Sequence, residues 1–77
     1  MTVVNEYDAV RLLQPVEADV IGVGGGTTFV VPAGSDGVVV HVHGPATKPL
    51  AYEVQFFVDA LDADAIATVD ADLVTPA

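Results

Sequence analysis

His41 and His43 stand two apart in "VVVHVH", and Glu53 follows in "AYEVQFFVD". Alternate residues of a strand share a face, so the two imidazoles point the same way. A hairpin that sets Val40 opposite Val54 also sets His41 opposite Glu53. Two imidazoles and a carboxylate are a donor set for zinc or another divalent ion. The third ligand depends wholly on that register, and histidine is equally at home on a solvated strand face. No metal is therefore assigned, and His41, His43 and Glu53 stand as candidate ligands only.

The glycine run "IGVGGGTT" raises the question of phosphate binding. A dinucleotide fingerprint needs G-x-G-x-x-G between a strand and a helix, and here Thr27 occupies the place of the last glycine. A P-loop needs Lys beside the final Gly, and the residues that follow, "TTFVVP", are strand-like and closed by proline, so no helix dipole faces a phosphate. The glycines read as a hairpin tip. Asp59, Asp62, Asp64, Asp70 and Asp72 resemble a calcium loop only in charge, since after Asp62 and Asp64 come Ala65 and Ile66, with no Gly or Glu at the places an EF-hand requires. Ser35 lies in a Gly-rich turn without triad spacing around it, so no catalytic residue and no cofactor are assigned, and a non-enzymatic protein is expected.

The elements that would carry these residues belong to one domain. A chain of 77 residues has no surface to spare for a second core. Hydrophobic residues make up 52% of it, enough to fold, but most are Ala and Val, and so small a core calls for a second subunit. Eleven Asp and Glu face only Arg11 and Lys48, for a net charge of -9. Nucleic acid and anionic membranes are thereby disfavoured as partners, because both are bound through Lys and Arg. The charge serves solubility or attracts a basic protein. Without cysteine, and with Met1 leading into "TVVNEYD" rather than a basic and apolar leader, a cytoplasmic location is expected.

Short runs of Val, Ile, Thr, Phe and Tyr separated by Gly, Pro and Asp are the punctuation of an all-β domain. "YDAVRLL" reads as a first strand, and "ADVIGV" with "TTFVV" as a hairpin around the glycines. "VPAGSDG" is a turn with hinges at Gly34 and Gly37. In the next run Val38, Val40 and Val42 share one face and Val39, His41 and His43 the other. Tyr52, Val54, Phe56 and Val58 lie opposite Glu53, Gln55 and Phe57. The tail 61–73 fits a helix through Leu61, Ala65, Val69 and Leu73, or a strand over Ala65 to Val69 with a turn at Asp70 to Asp72 and a last short strand.

At "VPAGSDGVVVHVHG", "AYEVQFFV" and "TVDADLVTP" the chain resembles a family of small bacterial proteins of unknown function, similar to SH3-like barrels. The resemblance implies a small barrel of about five to six strongly bent antiparallel strands, with the tail as closing strand and a short helical turn near the C-terminus. It implies no catalytic residue. Residues 18–30, a lengthened Gly-rich hairpin, fall outside it. Members carry more Lys and Arg, which implies a different partner for this chain. Proteins of this kind also occur in mobile gene cassettes and beside toxin genes.

With Val38, Val40 and Val42 inward, Val39 and Phe57 point outward beside His41 and Glu53, and that face is the expected contact surface. The expectation is a homo-oligomer acting by protein contact. The alternatives are an acidic antitoxin or immunity-like inhibitor of a basic toxin or nuclease, and a histidine-based metal-binding module.

Overall fold

The computed structural model describes residues 4–22, 26–45 and 47–77. Strands β1 (Ala9–Leu12), β2 (Val16–Val20), β3 (Thr28–Val31), β4 (Asp36–His43), β5 (Ala51–Val58), β6 (Ala63–Asp70) and β7 (Val74–Pro76) form one antiparallel sheet in the order β3-β2-β6-β5-β4-β1-β7. The fold is all-β, a sheet curled into a half-barrel. Seven strands replace the expected five to six, because the tail supplies both β6, inside the sheet, and β7, at its end.

Alternation explains most of the inside. Val10 and Leu12 of β1, Ala18 and Val20 of β2, Tyr52, Val54, Phe56 and Val58 of β5, and Ala65, Ala67 and Val69 of β6 are buried, while their neighbours along each strand point out. Each large apolar side chain removed from water contributes about 1.5–3 kcal/mol, and among the described residues no polar or charged residue is buried to offset it. The hairpin of β2 and β3 pairs Ala18 with Phe29 and Val16 with Val31, as the flanks of the glycine run require. Gly22 and Gly26 adopt φ of +81° and +82°, which only glycine takes without strain. Residues 23–25, which hold most of the expected tip, lie outside the described residues.

The tail is strand rather than helix. Along its whole length β6 pairs with β5, from Ala51 opposite Asp70 to Val58 opposite Ala63, and this ladder buries Ala65, Ala67 and Val69. A helix would bury one stripe but leave the β5 edge without partners. The short helical element is a 3₁₀ turn at Ala71–Leu73, with a second at Asp59–Leu61.

Strand β4 departs from simple alternation. Val38 pairs with Gln55 and Val39 with Val54, but the next pair is His41 with Glu53, so Val40 is an extra residue at a bulge. The bulge reverses the expected faces for the first half of the strand: Val39 is fully buried, and Val38 is exposed. Val39 is therefore a core residue and not part of a contact surface. Beyond the bulge the expected faces return, with Val42 opposite Tyr52 and His43 opposite Ala51. Gly37 is not a hinge either. It lies in β4, and a Cβ there would sit 2.7 Å from Val54 Cγ1 and 2.8 Å from Phe56 Cδ1, so the site demands a residue without a side chain.

Candidate functional site

The outer face of the sheet carries the chemistry. Its centre is β5, whose Glu53, Gln55 and Phe57 alternate with the core residues, and its flanks are the outward residues of β4 and β6. His41 sits opposite Glu53, as the hairpin register requires. The rings of His41 and His43 meet edge to face, with centroids 4.6 Å apart. His43 Nε2 lies 3.4 Å from Glu53 Oε1 without hydrogen-bond alignment, although that nitrogen is shielded from solvent. The contact is thus a charge contact when the imidazole is protonated, and a weak one on half-buried side chains. Among the described residues no group of three or more His, Cys, Asp or Glu is placed to hold a metal ion.

Ser35 precedes β4 and His41 falls six residues later, roughly 20 Å away at the rise of a strand, so the two cannot form a nucleophile and base pair. The acidic series is dispersed as well. Asp59 opens the 3₁₀ turn before β6 and Asp62 follows it, Asp64 and Asp70 lie on the outer side of β6, and Asp72 sits in the second 3₁₀ turn.

Phe57 stands on the outer face with 59% of its surface exposed. It does not stand alone. A hollow of about 430 Å³ is lined by Tyr7, Val38, Val40, Gln55, Phe56, Phe57 and Asp64. Phe57 and Asp64 are direct cross-strand partners, and Val38 lies opposite Gln55. The bulge creates this group: by turning Val39 inward it leaves Val38 and Val40 on the hollow. Residues that alternation alone would have hidden thus form its apolar wall.

The chain matches no family model, no curated protein and no solved structure. Its site must be understood from its own side chains.

Tyr7 is the residue that sequence reasoning missed. It belongs to the turn Asn5 to Asp8, in which Asp8 N donates to Asn5 O at 3.1 Å and Asn5 N donates to Asp8 Oδ2 at 2.8 Å. The turn is tied to β4 by Tyr7 N donating to Val39 O at 2.6 Å and Val39 N donating to Asp8 O at 3.0 Å. Tyr7 has φ of 71°, in the left-handed region that disfavours side chains, and its own side chain is 74% exposed. Packing therefore does not compensate the strain. Asn and Asp at the ends of "NEYD" were the available sign of a turn.

Charge completes the face. Glu17, Asp19, Asp36, Glu53, Asp64 and Asp70 all project from its strands, and its one arginine, Arg11, is already engaged. Arg11 Nε donates to Asp36 Oδ1 at 2.8 Å and Nη2 to Oδ2 at 3.4 Å. The hydrogen bond to Asp36, and then its charge, hold the guanidinium pKa above its usual value.

Proposed function

We propose that the protein is non-enzymatic and works by protein contact through the outer face of its sheet, with a basic protein as the partner. The observation that carries this is the group of Tyr7, Val38, Val40 and Phe57 around one hollow, set in a face that also carries the carboxylates of Glu17, Asp19, Asp36, Glu53, Asp64 and Asp70. An apolar centre inside a polar rim is the anatomy of a protein interface. The negative field of a chain at -9 accelerates encounter with a positive surface and slows encounter with a second copy.

A second copy is the competing occupant. Its support is the small Ala and Val core together with the exposed apolar cluster, which a twofold contact would cover. The two occupants differ in the mass of the isolated protein. Light scattering after size exclusion is expected to give the 7.9 kDa monomer at low and at high salt. A dimer that persists at both salts and dissociates on Phe57→Ser would assign the face to a second copy and overturn the basic partner.

A further inference from the structure

The two exposed aromatic residues of the hollow, Tyr7 and Phe57, and its carboxylate point to a more definite chemistry, which rests on the contact function proposed above. We propose that the hollow is a receptor for one cationic side chain, an arginine, presented by the partner. Phe57 and Asp64 face each other across β5 and β6, and Tyr7, Val38 and Val40 complete the wall. A guanidinium is planar: it stacks on an aromatic ring and pairs with a carboxylate, while its aliphatic stem lies along apolar surface. Tyr7 and Phe57 offer the rings, Asp64 the carboxylate, Val38 and Val40 the surface for the stem, and Gln55 a carbonyl that accepts a further N–H.

One observation favours a cation over an apolar anchor, and a second favours a use for the Tyr7 ring. Among the described residues no ion pair engages Asp64, and Arg11, the cation on this face, is held by Asp36 instead. The hollow thus contains a carboxylate that no described residue of the chain neutralises. Tyr7 is held at φ of 71° with its side chain largely exposed. A tyrosine kept in a conformation that Asn or Gly would adopt more easily, and not repaid by burial, is strain at a surface where a ring has a use.

The test is a nuclear magnetic resonance titration with the blocked tripeptide acetyl-Gly-Arg-Gly-amide and with its citrulline counterpart, which has the same shape and no charge. The arginine peptide is expected to give saturable shift changes concentrated at Tyr7, Val38, Val40, Phe57 and Asp64. Citrulline in the peptide, or Asp64→Asn in the protein, is expected to weaken binding about tenfold, whereas Glu17→Gln on the same face leaves it unchanged. Equal binding of the two peptides in the hollow would overturn the arginine receptor while leaving a contact site in place. Shifts spread over the carboxylates of the whole face, with Glu17→Gln as damaging as Asp64→Asn, would overturn it too and leave only diffuse attraction. Failure of the wider contact function shows separately, as a persistent dimer in the solution mass.

Discussion

Val39 and Val54 face each other across β4 and β5, and neither side chain retains any exposure to solvent. This pair fixes which side of β4 is the core. Val39→Ala removes buried methyl groups and leaves a gap, and should cost about 2 kcal/mol in denaturant unfolding. Val38→Ala, one residue away on the outer face, should change stability by less than about 0.5 kcal/mol. Equal losses at both positions would place the bulge elsewhere.

The strands differ in how plainly their residues declared themselves. In β5 the two faces differ in chemistry, with Tyr, Val, Phe and Val against Glu, Gln and Phe, so both the core and the exposed Phe57 follow from alternation. In β4 the run Val38, Val39, Val40 is apolar in either phase, and a bulge changes the phase without changing the composition. The expected contact face therefore contained Val39, where the structure has Val38 and Val40. His41 opposite Glu53 survived because the inserted residue restores the phase before it. Ala65 and Val69 fit both a helix and a strand, and only the long β5 ladder decides between them. Tyr7 was hidden because its place on the hollow depends on a turn bound to β4, a tertiary contact that local pattern does not contain.

Gly37 carries a second prediction about packing. Alanine there gains up to about 1 kcal/mol by restricting the unfolded chain. Its Cβ, however, meets Val54 and Phe56 at under 3 Å, and both are buried side chains with little room to retreat. Overpacking of this kind costs about 1–3 kcal/mol, so Gly37→Ala should lower the unfolding midpoint. A raised midpoint would mean that the two side chains rearrange freely.

Tyr7 separates stability from binding. An L-residue in the left-handed region costs about 1–2 kcal/mol, and Asn tolerates it better than Tyr. Tyr7→Asn should therefore leave the fold as stable or up to about 1 kcal/mol more stable, while weakening the arginine peptide. Thermal unfolding and the peptide titration, run on the same variant, check the two halves. Destabilisation accompanied by unchanged binding would show that Tyr7 serves the fold and not the hollow.

Salt gives a prediction of another kind. Attraction between a face rich in carboxylates and a basic partner is screened beyond about 8 Å at physiological ionic strength. Association should therefore slow steeply as salt rises, with dissociation less affected, because the apolar contacts at Phe57 and Val38 persist. Stopped-flow measurement on the isolated pair reads both rates, and a salt-independent association rate would argue against electrostatic recruitment.

The most direct measurement is photocrosslinking in the cells that make the protein, with benzoylphenylalanine in place of Phe57 and, as a control, in place of Leu50, which is 65% exposed on the approach to β5. Contact of the outer face with a basic protein predicts an adduct at position 57 and not at position 50, joined to a partner peptide that contains arginine. Only a covalent dimer of the chain at position 57, or no adduct beyond that of the control, would contradict it.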